Sequence, residues 1–227
     1  MWRLKKRCFS NVEDLTVVTP SKWLESVVLQ SYLGTYECKV IYNGVNLSTY
    51  RPVESCFRNK YDIGKRKIVL GVAAGWEKRK GLDVMIALSN SLNNQYQIVL
   101  VGTNNAIDNE LPSNIISIHH TDSIEEMVQI YSAADVFANP TRDEVFGLVN
   151  VEALACGTPV VTFDAGGCPE IIDDSCGRVV PVNGFDSMKA AIIDICERKP
   201  FSREDCRARA MNFDQEILFD SYIDLYR

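Results

Sequence analysis

Two carboxylates eight positions apart, Glu144 and Glu152, lie in the stretch PTRDEVFGLVNVEALACGTPVV, residues 140 to 161, which reads as a strand end, a loop, a helix, a turn and a next strand. On one continuous helix that spacing is two turns plus about 80°, so the two acids would point in different directions. The pair makes sense with Glu144 in the loop and Glu152 one turn inside a helix that starts near Leu148. Such a start offers free N–H groups and a favourable dipole to an anion at Phe146, Gly147, Leu148 and Val149, and Gly147 lets the backbone approach a phosphate closely. A diphosphate suits this geometry. Glu152 then stands roughly 6 Å further along the axis, tilted back toward the N-terminus, within reach of the vicinal hydroxyls of an attached ribose. Glu144, on the other side of the phosphates, is placed to accept hydroxyls from a group being transferred. For a bare pair of acids the plainer reading is that both merely favour the helix dipole.

A second stretch, LGVAAGWEKRKGLD, places a cation where a diphosphate needs one: an apolar strand, then Lys78, Arg79 and Lys80, then a helix from about Leu82. A positioned lysine and a helix N-terminus together can stabilise a departing diphosphate. The alternative is a solvated charge run at a helix start. Other residues carry less. His119 and His120 are adjacent on an expected strand and point to opposite faces, which argues against a shared metal. Cys156 and Cys168 flank the expected cleft and read as small apolar fillers rather than nucleophiles. Trp76 either covers the loop or packs, and Gly166 and Gly167 mark either a close approach to the ligand or a plain turn.

The elements that must hold these residues follow a β-α rhythm. Solid apolar runs such as QIVLVG and PVVTF fit a parallel sheet buried on both faces. The fold class is therefore α/β, a doubly wound, Rossmann-like parallel sheet, with ligands expected beyond the carboxyl ends of the strands. Helices are expected from about Leu82, Ser123 and Leu148, after Gly184, and from Ser202 onward, with Ser202 as an N-cap. The opening 60 or so residues read as a strand, a turn, a helix and a strand, KVIYN, followed by an Asn43-Gly44 turn. From Leu47 to Lys67 the chain is polar and reads as a surface connection with a soft boundary.

Composition excludes several classes. The chain of 227 residues carries 24 basic and 30 acidic residues, a net charge of -6, so it is no generic polyanion binder. Its eight cysteines form no CxxC pair and read as reduced, mostly core residues of a cytosolic protein. The basic opening MWRLKKRCFSN has no apolar run behind it, and no segment approaches the ~20 apolar residues of a membrane span.

The stretch EVFGLVNVE resembles the Glu-x7-Glu motif of the retaining, nucleotide-sugar-dependent glycosyltransferases of the GT-B fold, family 4, the glycosyl transferases group 1. VTPSKWL followed by VIYNGVN, LGVAAGWEKRKGLD, YSAADVFANP and GGCPEII agree in order and spacing, covering nearly the whole chain. The Trp-x-x-Arg-Lys-Gly loop is similar to that of colanic-acid or capsular polysaccharide glycosyltransferases. The resemblance implies that Glu144 contacts the donor sugar, Glu152 holds the nucleotide ribose, Phe146 to Val149 lie against sugar and diphosphate, and Lys80 neutralises the diphosphate. It implies no metal and no cofactor, the nucleotide sugar being a substrate. Family members carry an arginine five residues before the lysine, where this chain has Gly75; Arg79 or Lys78 is the substitute within reach.

The resemblance further implies residues 1–45 as the tail of an acceptor-binding N-terminal domain and 46–227 as the donor-binding Rossmann-like domain with its C-terminal helices. The expected function is that of the donor-binding half of a retaining hexosyltransferase, nearly inactive alone. It would serve a saccharide or lipid-linked acceptor in surface polysaccharide synthesis, in the cytoplasm or peripherally at the inner face of the membrane. Front-face displacement, with the leaving diphosphate deprotonating the incoming hydroxyl, is the implied mechanism. A non-catalytic nucleotide-binding or interaction module that retained the fold is the alternative. No nucleic-acid partner is expected.

Overall fold

The computed structural model describes residues 2–227 and is built on a six-stranded sheet in which every pairing is parallel. Ahead of it, α1 (Trp2–Phe9) leads into a small parallel sheet of β1 (Thr16–Thr19) and β2 (Glu37–Val40), joined by α2 (Lys22–Leu29). After the short α3 (Phe57–Lys60), the main sheet alternates with helices: β3 (Lys67–Val72), α4 (Leu82–Ser91), β4 (Tyr96–Val101), α5 (Asn105–Asp108), β5 (Ile115–Ile118) and α6 (Ile124–Ala133). The second half continues with β6 (Val136–Asn139), α7 (Leu148–Ala155), β7 (Val160–Phe163), β8 (Gly177–Val180), α8 (Phe185–Arg198), α9 (Arg203–Ala210) and α10 (Gln215–Leu225). The strand order is β5-β4-β3-β6-β7-β8. β3 and β6 lie side by side while the chain leaves them for opposite halves of the sheet, which makes their carboxyl ends the topological switch point.

The solid apolar strands divide their side chains between two cores at a period of two. Ile68, Leu70, Val99, Phe137 and Val160 face α6, α7 and α9, whereas Val69, Ile98, Leu100, Val136 and Val161 face α4 and α8. Burial on both faces is what a parallel sheet flanked by helices requires. Helix starts follow local chemistry: Ser123 caps α6, and Ser202 forms a capping box with Asp205 at α9. Arg207 of α9 donates to the Ala155 carbonyl at the end of α7 at 2.9 Å and to the carbonyls of Leu47 and Tyr50.

Two expectations are corrected. The segment from Leu47 to Lys67 is no loose surface connection: Leu47, Phe57 and Ile63 are buried in the core, and Arg58 pairs with Asp135 at 2.6 Å. Its few apolar residues are diluted by charges that sit outside. The strand IISIHH ends at Ile118, because His119 turns out to meet Asp108 at 2.7 Å. The basic opening, to which the sequence reading gave no element, forms helix α1.

Candidate functional site

An open cavity of ≈ 660 Å³ lies at the switch point. The loop after β3 supplies Ala73, Gly75, Glu77, Arg79 and Lys80 to its wall, and the loop after β6 supplies Glu144, Phe146, Gly147, Leu148 and Val149. Asn139 at the end of β6 and Asn43 from the N-terminal segment also line it.

Lys80 and Glu144 meet directly. Lys80 Nζ lies 2.6 Å from Glu144 Oε2, and Glu144 Oε1 accepts the backbone N–H of Val145 at 3.1 Å. Each side chain is only about a quarter exposed or less, at 21% and 25%. Lys80 ends a single 3₁₀ turn, Lys78–Lys80, closed by Gly81 in the left-handed region at φ 82°. A side chain at Gly81 would meet the Pro140 carbonyl, so glycine lets the two loops close on each other. Arg142 secures the turn from the other side. Its backbone N–H donates to Arg79 O at 2.9 Å, and its guanidinium reaches both oxygens of Asp83, the Lys78 carbonyl and Asn183 Oδ1.

Glu144 is fixed through its backbone by the Gly166-Gly167 loop. The Gly167 N–H donates to Glu144 O at 3.1 Å, and a Cβ on Gly166 would sit 1.7 Å from that same oxygen. The glycines thus serve a close backbone approach to Glu144. Helix α7 begins at Leu148 as expected, and Gly147 at its N-cap, φ 95°, provides no side-chain cap for the first N–H groups. Beneath it Asn150 is fully buried: its Oδ1 accepts from Asn139 Nδ2 at 2.9 Å, and its Nδ2 finds no partner among the described residues.

Arg79 lines the cavity but is paired with Glu77 at 2.8 Å, and Lys78 does not line it. A Cβ on Gly75 meets nothing within 4 Å, so open space stands where the resemblance places an arginine. Glu152 is the expected residue that the structure separates from the rest. It does not line the cavity; its Oε2 accepts the Tyr131 hydroxyl at 2.8 Å. Burial pushes its carboxyl above the ordinary range, against the hydrogen bonds of Tyr131 and Tyr50, which lower it. The physical reason is its position against the buried ring of Tyr131 on α6, a contact that spacing along α7 does not report.

Trp76 lines the cavity and is also packed: it is buried and donates Nε1–H to the Val101 carbonyl at 2.9 Å. The Cys156 and Cys168 thiols are both pushed up to about 12 by burial, so neither is a nucleophile at neutral pH. Among the described residues, no group of three or more His, Cys, Asp or Glu is placed to hold a metal ion, and no helix is long and apolar enough to cross a membrane. Sequence reasoning missed Asn43, Asn139, Asn150 and Arg142. The Asn43-Gly44 pair signalled only a turn, and Arg142 was hidden in the charged run TRDE.

Residues 54–213 match the model of the family described as glycosyl transferases group 1. Among curated relatives, a D-inositol 3-phosphate glycosyltransferase of Saccharomonospora viridis is 26% identical over 213 residues, covering 83% of this chain and 49% of the relative. An O-antigen biosynthesis glycosyltransferase, WclY, of Escherichia coli is 28% identical over 153 residues, 64% of this chain and 42% of the relative. The chain thus spans about half the length of these relatives. Among solved structures, sucrose-phosphate synthase from Thermosynechococcus elongatus superposes over 100% of this chain and 60% of its own with a TM-score of 0.85 at 25% identity. Anabaena Alr3699/HepE, solved in complex with UDP and glucose, gives a TM-score of 0.83 at 20% identity, over 99% of this chain and 66% of its own.

Proposed function

This chain belongs to the glycosyl transferases group 1, and we propose that it is the donor-binding half of a retaining hexosyltransferase of family 4. It would move a hexosyl group from a nucleotide sugar to a saccharide or lipid-linked acceptor in surface polysaccharide synthesis. The observation that carries the reading is the convergence, in one cavity at the switch point, of Lys80, Glu144 and the uncapped N-terminus of α7. A diphosphate against Phe146 to Val149 meets N–H groups that no side chain caps, with Lys80 beside it. As the bond to the sugar breaks, negative charge grows on the diphosphate where these fixed charges already stand. Glu144 accepts hydroxyls of the sugar, and Glu152 is assigned to the ribose.

In this reading residues 1–45 are the tail of the acceptor half and 46–227 the donor half. The exposed Trp23, Val27 and Leu29 of α2, and Ile217, Phe219 and Ile223 of α10, support a covering N-terminal domain. The neighbour solved with UDP and glucose, and the relative named for O-antigen biosynthesis, support a nucleotide sugar and a polysaccharide product. The place of action is the cytoplasm or the inner face of the membrane. The test is a thermal-shift screen of nucleoside diphosphates and nucleotide sugars, because a ligand that binds the folded state raises its apparent stability. At least one nucleoside diphosphate should raise the melting temperature in a saturable way; none doing so at millimolar concentration would refute the reading.

A further inference from the structure

We infer that the Lys80–Glu144 ion pair is a self-occupied form of the donor site, in which the diphosphate of the donor takes Lys80 from Glu144 and thereby frees the carboxylate for the hydroxyls of the transferred sugar. This rests on the donor-site reading above. Both oxygens of the carboxylate have partners within the chain: one holds Lys80 Nζ at 2.6 Å, and the other holds the Val145 N–H at 3.1 Å. The only other cation lining the cavity among the described residues, Arg79, already faces Glu77 at 2.8 Å. Gly75 adds none. One lysine therefore serves two claimants that repel each other, a carboxylate and a diphosphate. With both partners mostly shielded from water, their competition is not screened away.

A consequence for ligand choice follows from charge. A nucleoside diphosphate alone strips Glu144 of its cation and leaves the carboxylate beside the phosphates with nothing in return. A nucleotide sugar takes the same lysine but repays the carboxylate with hydroxyl donors. The pair thus selects intact donor over the nucleoside diphosphate product that would otherwise occupy the site after transfer.

A double-mutant cycle on the full chain tests this, with UDP, GDP and ADP as probes in titration calorimetry and the matching glucose-bearing donors alongside. Glu144→Gln should tighten the nucleoside diphosphate that binds by about five-fold, the scale of a partly exposed ion pair. Lys80→Met, which keeps the alkyl stem, should weaken it by about ten-fold or more. In the Lys80→Met background, Glu144→Gln should tighten binding clearly less than in the wild type, because no lysine remains to be released and only the direct repulsion is removed. Glu144→Gln should also shrink the advantage of the nucleotide sugar over its diphosphate.

Equal tightening in both backgrounds would reduce the effect to through-space repulsion and overturn the exchange. No tightening in either would mean that the ammonium bridges both anions, and would overturn it too. Unchanged affinity in Lys80→Met, or no nucleoside diphosphate binding to the wild-type chain, would instead refute the donor-site reading itself. Should Lys80→Met not fold, Lys80→Gln takes its place in the cycle.

Discussion

Arg142 and Asp83 meet in a two-point ion pair, Nη1 to Oδ1 at 2.8 Å and Nη2 to Oδ2 at 2.9 Å, that ties the loop after β6 to the first turn of α4. The turn bearing Lys80 immediately precedes Asp83 in the chain, and Arg142 also grips it through the Lys78 carbonyl. Burial alone would raise the Asp83 carboxyl, but the Arg142 hydrogen bond and charge bring it below the ordinary range. Arg142 is thus a positioning residue for Lys80. Arg142→Ala should weaken nucleoside diphosphate binding while leaving far-UV circular dichroism unchanged, and Arg142→Lys should recover little, since a lysine lacks the planar fork. Calorimetry on both variants checks this; wild-type affinity in Arg142→Ala would show that the turn holds its shape without it.

Glu152 in its charged form costs stability. Its folded-state carboxyl is raised by burial, so its contribution to stability is fully present below the unfolded pKa and is lost as pH rises through the folded one. Above its raised pKa the charged form is held at a cost, and there Glu152→Gln should raise the melting temperature, by roughly 2–4 °C if about 1 kcal/mol is recovered. The gain should fade as pH falls and the wild-type acid takes up its proton. The same variant should weaken nucleoside diphosphate binding by roughly 1.5 to 3 kcal/mol if Glu152 holds the ribose. Melting curves against pH and calorimetry separate the two effects.

Glu170 binds the N-terminal segment to the main sheet. Its carboxylate accepts the N–H groups of Lys22 at 2.9 Å and Trp23 at 2.8 Å, at the start of α2, and the Tyr42 hydroxyl at 3.0 Å. Glu170→Ala should speed hydrogen exchange of the Lys22 and Trp23 amides by about ten-fold or more, with the amides of β3 and β4 unaffected. Unchanged exchange at Lys22 and Trp23 would mean that Ser21 alone caps the helix.

The two glycines of the cavity wall should respond in opposite ways. Gly147→Ala forces a side chain into φ 95°, and its Cβ would stand 3.1 Å from Asn150 Nδ2 and from Cys168 Sγ; a loss of roughly 1–2 kcal/mol of stability is expected, read by urea unfolding. Gly75→Arg projects into open space and adds the arginine that the resemblance places there. It should tighten nucleoside diphosphate binding by about five-fold at low salt and less at high salt. Weaker binding in Gly75→Arg would place the phosphates away from this loop.

Local chemistry made much of the fold readable. The solid apolar runs around Val69, Val99 and Val161 required two buried faces, and the expected helix start near Leu148 is where α7 begins. Lys80 and Glu144 could each be placed in a loop at a strand end, but not in contact, because their 64-residue separation is closed only by the neighbouring of β3 and β6. The surroundings of Glu152 were illegible for the same reason: Tyr131 reaches it from α6, and Tyr50 from the segment before α3. Phe57 and Ile63, set among charges, gave no periodic signal of the core they enter. Asn150 is buried at a crossing of β6 and α7, where only the tertiary fold decides which polar groups are enclosed.

The most direct test of the account is a crystal structure of this chain with the nucleoside diphosphate that shifts its melting temperature most. The account expects phosphate oxygens within hydrogen-bonding distance of Lys80 Nζ and of the backbone N–H groups at Gly147 to Val149, with Glu144 no longer on Lys80. A nucleotide bound elsewhere, for instance in the second cavity between Arg51 and Glu125, with the Lys80–Glu144 pair intact, would contradict it.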